Sequence, residues 1–595
     1  MARVSEIFDV VVVGSGAAGM STAITAARHG LSVVIVEKAP QWGGSTARSG
    51  GGVWIPGNHF LAKSSGKSSA DELDDARTYL HHIIGPHAAT DRINAYIDRG
   101  PEALKFLADN SALSLEWVRG YSDYFPEAPG GRAGGRSCEP KSFDARQLGS
   151  DLDTMAPFYT KAPMNVVVKQ SDYRWLSTGL RHWRGPWHMF RIGARTALAK
   201  IRRQHLVGVG SALVASLFLG IKEAGIPVRL NTALRELVVT DGRVTGIVTD
   251  QGTITARRGV MIACGGFDHN AQMRAKHHRA PAGARWSIGA TSNTGDGILA
   301  AETAGAAVSL MDDAWWAPSI PLPKGPWFAL AERSLPRSIL VNSRGQRFMN
   351  ESLPYVEATH QMFGGQFGTG TGPAENLPAW LIFDQTYRNR YTFAGVTGRA
   401  PLPKSWLSSG AIIKADSITE LAQAIGVPAD ALKSTIGRFN EFARSGRDGD
   451  FHRGESAYDH YYGDITNKPN PSLGELTRAP FYAARMVPGD LGTKGGVDTD
   501  VNARALRPDG SVIPGLYAAG NASSALMGHT YAGPGATIGP ALVFGYLAAL
   551  DLATGRRAHG SSVTAGLRAS GSSVTAGLRA SGSSITAASA APDHR

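Results

Sequence analysis

The chain has 595 residues, 43% of them hydrophobic and 18% charged, with 61 Lys+Arg against 49 Asp+Glu and a formal charge of +12. Such a length predicts at least two domains, each large enough to enclose a ligand, and the apolar content excludes a disordered chain. The 72 Gly and 32 Pro cluster without a G-x-y period, which excludes collagen, and two cysteines, Cys138 and Cys264, exclude a disulfide framework or a cysteine-based zinc site and point to a reducing compartment.

Residues 1–8 lack the basic stretch and apolar core of a secretion signal, so a cytoplasmic protein is expected. Residues 8–13 form an apolar, β-branched run that reads as a strand. Gly14-Ser15-Gly16-Ala17-Ala18-Gly19 and an Ala-rich helical pattern through Arg28 follow, and a second apolar run, 31–36, ends at Glu37-Lys38. In this strand, turn, helix, strand context, GxGxxG becomes a dinucleotide fingerprint. Gly14 permits the tight turn, Gly16 lets a pyrophosphate approach the N–H groups at the helix start, and Gly19 lets helix and strand pack closely. Glu37 is placed to accept a hydrogen bond from an adenosine ribose hydroxyl.

NAD and FAD share that fingerprint. A second glycine-dense loop, Gly43-Gly44-Ser45-Thr46-Ala47-Arg48-Ser49-Gly50-Gly51-Gly52, would let backbone reach an extended cofactor beyond its pyrophosphate. Near the far end, Gly515-Leu516-Tyr517-Ala518-Ala519-Gly520-Asn521 closes a strand in small residues, as if the chain returned to the same cofactor.

Between these ends, residues 169–203 hold nine Lys/Arg against one acid, Asp172, and so carry most of the surplus charge. The longest uncharged apolar stretch, 206–221, falls short of the roughly 20 residues needed to cross a bilayer and reads as a buried helix leading into a strand at 227–230. Cys264 follows a strand at 259–262 and reads as a small core residue rather than a nucleophile. No HExxH, CxxC or nucleophile elbow appears, so metal and acyl-transfer chemistry have no support. At the C-terminal end, GSSVTAGLRAS at 560–570 recurs unchanged at 571–581. A floppy tail is the expectation, with an oligomerisation or anchoring role as the other reading.

Six islands, DVVVVGSGAAG from Asp9, GGSTARSGGGVWIPG from Gly43, YSDYFPEAPGG from Tyr121, RFMNESLPYVEA from Arg347, APFYAARMVPGDLGTKGGVDTDVNARAL from Ala479 and GLYAAGNASSALMGHTYAGPGATIGPA from Gly515, stand in an order that resembles the FAD-dependent 3-ketosteroid Δ1-dehydrogenases. These are enzymes of the fumarate reductase and succinate dehydrogenase flavoprotein superfamily. The resemblance covers about residues 7–553 and implies a doubly wound, Rossmann-like α/β FAD domain, 1–313 and 479–553, with an inserted α+β substrate domain, 314–478, and a low-complexity tail, 554–595. It places Ser45, Thr46, Ser49, Gly50, Gly51, Gly265, Asp296, Gly520 and Asn521 beside the cofactor with the fingerprint residues, Lys38 and the 43–44 glycines.

It also implies an active site of Tyr124, Tyr355, Tyr531 and Gly535, with Tyr121 the fallback for Tyr124. The Tyr531 hydroxyl and Gly535 N–H would polarise the C3 carbonyl, Tyr355 would take the C2 proton with Tyr124 as its hydrogen-bond partner, and the C1 hydrogen would leave as hydride to flavin N5. A phenol with a pKa near 10 is a poor base at neutral pH, so something must lower its pKa or relay its proton. His529 and Arg485 read as structural or flavin-side residues. The rival chemistries are a Δ4-(5α)-dehydrogenase, a flavin-binding protein without turnover, and fumarate reduction, against which residues 529–534 lack the substrate arginine. A quinone would serve as electron acceptor.

The basic stretch, about 164–205, departs from soluble members of the family. Its mix of Trp175, Trp183, Trp187 and Phe190 with Arg and Lys fits peripheral contact with an anionic membrane at its inner face, or equally an exposed basic lid. Gly185-Pro186 is expected to break it, with a helix from about 187 to 205. It lacks a nucleic-acid reading motif, so no nucleic-acid partner is expected.

Overall fold

The computed structural model describes residues 6–65, 69–159, 167–178 and 182–555. The 11-residue repeats lie outside them. The first strand, Glu6–Val13, pairs in parallel with Val33–Val36 on one side and Gly252–Ile262 on the other. The crossover is the helix Ala17–Arg28. Gly252–Ile262 continues in parallel to Val512–Ala518, and Val33–Val36 to Val228–Arg229, so the two ends of the chain share one sheet.

A strand buried on both faces reads as an unbroken apolar run, because each face needs its own apolar residues. Val10 and Val12 face one core, with the helices Ala17–Arg28 and Ile538–Thr554. Val11 and Val13 face the other, where the ribbon Leu234–Thr240 and Arg243–Thr249 joins the helix Asp296–Thr303 as cover. The second layer on that face is thus partly β.

A second sheet runs Gly325–Phe328, Ala314–Leu322, Phe481–Thr493, Ala379–Asp384, Ser338–Val341, with Ile412–Ala415 also paired to Phe481–Thr493. Strand Phe481–Thr493 lies at its centre, antiparallel to its neighbours, although the expected boundary put residue 479 onward in the cofactor domain. The chain up to Gly555 is one compact unit. Arg485 is an exposed residue of that central strand, its N–H bonded to the Ala411 carbonyl, and not a flavin-side group.

Residues 206–221 divide into a short strand, Leu206–Val207, and the buried helix Val209–Glu223. Among the described residues no helix is long and apolar enough to cross a membrane. The basic stretch forms two helices, Gln170–Thr178 and Arg184–Ile201. The stretch is thus divided in two as expected, but Gly185-Pro186 lies within the first turn of the second helix, where proline has no N–H to leave unpaired, and that helix ends at Ile201 rather than near 205.

Candidate active site

One cavity of about 1180 Å³ runs from the first sheet to the second. At the sheet end it is lined by Gly14–Ala18, Glu37, Lys38, Gly44–Thr46, Ser49–Gly52, Gly265, Asp296, Gly520 and Asn521. Gly19 and Gly43 do not line it. A Cβ on Gly19 would lie 2.0 Å from the Gly14 carbonyl oxygen, so this glycine serves helix-on-strand packing. Gly43 has φ +107° and donates its N–H to the Ser15 hydroxyl at 3.0 Å. The glycine-dense loop is therefore partly helical, over Gly44–Arg48.

The helix Ala17–Arg28 starts at Gly16, which has no side chain to cap it; the Thr46 hydroxyl accepts the Ala17 N–H at 3.1 Å, and the rest of the first turn and the helix dipole face the cavity as an anion site. A Cβ on Gly14 would strike the Ala263 carbonyl at 2.4 Å, which keeps the turn flat beneath that site. Glu37 accepts from the Ser15 N–H and hydroxyl at 3.1 and 2.7 Å, and Lys38 pairs with Asp296 at 2.5 Å. These features suit an extended dinucleotide: a helix start facing the cavity for the diphosphate, a carboxylate at the end of the second strand, and a trough of glycines beyond. Cys264 touches the same wall; burial raises its thiol to about 12, so it carries no nucleophile.

Toward the second sheet the cavity meets Tyr124, Tyr355 and Tyr531, which arrive from three distant segments. Their ring centroids stand 5.5 Å (124–355), 5.2 Å (124–531) and 5.5 Å (355–531) apart, all edge-to-face, and they are 2%, 6% and 5% exposed. Tyr355 is the first residue of the helix Tyr355–Phe363, after Pro354, and Phe328 packs on its ring at 5.0 Å. Tyr531 receives the Thr537 hydroxyl at 2.9 Å and packs on Trp315.

Tyr124 is held from both sides. Its N–H bonds to the Ala532 carbonyl at 3.1 Å. Its neighbour Asp123 accepts from Trp54 Nε1 at 2.8 Å and pairs with fully buried Arg136. Burial raises the Asp123 carboxyl to about 6, against the pull of Arg136. Trp54 in turn donates its N–H to the Gly535 carbonyl at 3.2 Å, so the segments bearing residues 54, 124 and 535 are stitched together. Gly535 has φ +97°, and a Cβ there would lie 2.3 Å from Gly52 C. Only glycine fits this position.

Burial holds the Tyr124 and Tyr355 hydroxyls well above the ordinary phenol range and raises that of Tyr531. Tyr121, the fallback, also lines the cavity, stacked on Tyr461 at 4.2 Å and accepting from the Tyr462 hydroxyl at 2.9 Å. Its ring centroid stands 6.4 Å from that of Tyr124, which in turn meets Tyr355 at 5.5 Å. The partners Tyr458, Tyr461 and Tyr462 escaped sequence reading; the run Ala457–Tyr462 was their only local signal. His529 is structural: its Nδ1 lies 3.0 Å from Asp313.

The cavity continues past the tyrosines along Phe158, Tyr159, Leu176 and Val396 to Tyr173 and Met189, both over a third exposed. It therefore opens to solvent beside the basic segment.

Residues 9–538 match the FAD binding domain family. The chain is 60% identical over 555 residues to a 3-oxosteroid 1-dehydrogenase of Mycolicibacterium smegmatis, covering 92% of this chain and 97% of that one. It superposes on the 3-ketosteroid Δ1-dehydrogenase of Sterolibacterium denitrificans with a TM-score of 0.86 at 37% identity, over 93% of this chain and all of that one, in a structure that holds 1,4-androstadiene-3,17-dione. The Δ4-(5α)-dehydrogenase of Rhodococcus jostii shares the fold, with a TM-score of 0.63 at 23% identity, over 93% of this chain and 98% of that one. The chain belongs to the FAD-dependent 3-oxosteroid 1-dehydrogenases, oxidoreductases of the fumarate reductase and succinate dehydrogenase flavoprotein superfamily that introduce the C1–C2 double bond into 3-ketosteroids.

Proposed function

We propose that Tyr124, Tyr355, Tyr531 and Gly535 carry this dehydrogenation and that a 3-keto-4-ene steroid of the androstenedione type is a substrate. The observation that carries the reading is the meeting of three buried tyrosines at the inner end of a cavity whose other end has the features of a dinucleotide site. The Tyr531 hydroxyl and the Gly535 N–H donate to the C3 oxygen and stabilise the enolate that forms as C2 loses its proton. Tyr355 takes that proton. The residues lining the sheet end would hold FAD, which would supply the two-electron oxidant for the C1 hydrogen.

Burial works against Tyr355 as a base, because ionising a phenol away from water is costly. A neutral phenol has no free site for the C2 proton, so Tyr355 reacts as its phenolate, and Tyr124, whose ring stands 5.5 Å away, is placed beside that anion. Anaerobic bleaching of the yellow protein by androst-4-ene-3,17-dione, with mass analysis placing the new double bond at C1–C2, tests the reading. Bleaching that survives Tyr355→Phe would remove the assigned base.

We further assign the helix Arg184–Ile201 to an anionic membrane surface at the inner face of the cell membrane. Trp183, Trp187, Phe190, Leu198 and Ile201 are 68, 50, 64, 45 and 79% exposed and fall on one side at helical spacing. Gly185, Ile192 and Ala199 are buried on the other. Arg184, Arg191 and Arg202 flank the apolar stripe on one side and Lys200 on the other, as in helices that lie in a headgroup layer. The charge is partly spent inward: Lys169 pairs with Glu116, and Arg195 holds Asp172 at 3.0 Å. Met189 of this helix lines the cavity mouth, so a poorly soluble steroid has a short path from lipid to the tyrosines. A membrane-dissolved quinone is the electron acceptor this placement would serve.

A further inference from the structure

Asp313 is fully buried where the first sheet's half of the chain gives way to the strand Ala314–Leu322, and four donors converge on its carboxylate. His360 Nε2 and the Ala314 N–H reach Oδ1 at 3.0 and 2.8 Å; His529 Nδ1 and Lys494 Nζ reach Oδ2 at 3.0 and 3.1 Å. Each side-chain donor belongs to an element with a stake in the site. His360 is on the helix that begins with Tyr355. His529 stands two residues before Tyr531. Lys494 directly follows the central strand of the second sheet, and its Nζ also donates to the Thr530 carbonyl at 3.2 Å.

Two further contacts tie the same parts. Thr530 donates its hydroxyl to Glu357, on the Tyr355 helix, at 3.0 Å. Lys494 lies 5.0 Å from the Trp315 ring, which packs against Tyr531 at 4.8 Å. Burial alone would raise the Asp313 carboxyl, but Lys494 and His360 hold it well below the ordinary range, so it stays an anion and an acceptor for all four donors.

We propose that the Asp313–Lys494 pair, with His360 and His529, is the positioning device of the reaction: it fixes the helix bearing Tyr355 and the loop bearing Tyr531 against each other, and so sets the reach of base and carbonyl donor toward one bound substrate. This rests on the roles given above to Tyr355 and Tyr531. An ion pair without water around it is costly and is not retained for stability alone, since apolar residues of similar volume pack as well. Its use here is geometric. The three tyrosines come from three segments, and the only described carboxylate bonded to both the Tyr355 helix and the residues next to Tyr531 from outside them is Asp313.

The test measures kcat, KM, flavin content and the dissociation constant of the 1,4-dien-3-one product on FAD-loaded full chains of wild type, His529→Phe, Asp313→Asn, Tyr531→Phe and the His529→Phe/Tyr531→Phe double variant. Phe at 529 keeps the stack on Phe367, at 4.6 Å in the native protein, and deletes only the bond to Asp313, so it remains informative even where Asp313→Asn leaves Lys494 unpaired and fails to fold. Expected are full flavin content and a loss of roughly 10- to 100-fold in kcat with KM within about twofold for His529→Phe, as for a reacting group misplaced by a fraction of an ångström. In the Tyr531→Phe background the same substitution is expected to cost under about threefold, because both changes act through one hydroxyl. Equal losses in both backgrounds, or a wild-type kcat for His529→Phe beside a slow Tyr531→Phe, would overturn the positioning role and leave the tyrosine assignment standing. A wild-type rate for Tyr531→Phe would overturn the assignment itself, and the positioning role with it.

Discussion

Tyr124, Tyr355 and Tyr531 are at most 6% exposed and meet edge-to-face, whereas Trp183, Trp187 and Phe190 on the basic helix stand 50 to 68% exposed, with Trp187 and Phe190 stacked on each other in solvent. The two groups use the same ring chemistry under opposite conditions. Burial strips water from the phenols, so their rings pack edge-to-face and their pKa values rise. The exposed rings keep their apolar area in water, a cost that persists in natural proteins mainly where another surface removes it. On the proposed reading one region controls protons and the other meets a surface, so substitutions in each should report on different observables.

The largest effect is expected from Tyr355→Phe, a loss of about 10²- to 10⁴-fold in kcat with flavin still bound, read by anaerobic bleaching. Residual turnover near wild type would mean that the buried ring only packs. Tyr531→Phe is expected to cost about 10²- to 10³-fold in kcat/KM by removing one donor to the developing enolate. Replacing Trp187 and Phe190 by Ser should lower the fraction cosedimenting with phosphatidylglycerol vesicles by roughly tenfold, with turnover of detergent-dispersed steroid changed by less than about twofold. Unchanged cosedimentation in low and high salt would erase the contrast between the regions and leave a lid as the function of the helix.

The smallest effect concerns pH. Because the folded pKa values of Tyr124 and Tyr355 are raised by burial, the folded state keeps those protons longer than the unfolded chain does. Their contribution to stability is thus complete below the unfolded phenol value of about 10 and is lost as pH rises beyond it. The thermal midpoint should fall above pH 10 while the rate of proton abstraction rises. In Tyr355→Phe the fall should be shallower, and an identical slope would show that Tyr355 titrates normally.

The cofactor end was legible because its chemistry is local. Gly14, Gly16 and Gly19 with Glu37 and Lys38 lie within one strand, helix, strand unit, and backbone conformations that require glycine leave a mark in the residue types themselves. The tyrosine end could be approached only through family motifs, since nothing in the spacing of 124, 355 and 531 brings them together. For Arg485, read as structural or flavin-side, only the structure chose the first, and periodicity alone could not say that Gly185-Pro186 would fall inside the first turn of a helix.

What the sequence determined by itself was the βαβ cofactor unit, the basic surplus concentrated between 169 and 203, and the identity of the phenols. Tertiary structure decided the rest: the convergence of three segments on one cavity, the strand Phe481–Thr493 at the centre of the second sheet, the Asp313 hub, and which face of the Trp-rich helix meets solvent. The physical reason is range. Turn geometry and helix starts are set by residues a few positions apart, while burial, buried ion pairs and the meeting of remote hydroxyls depend on contacts between segments that only the tertiary fold brings together, which no local pattern encodes.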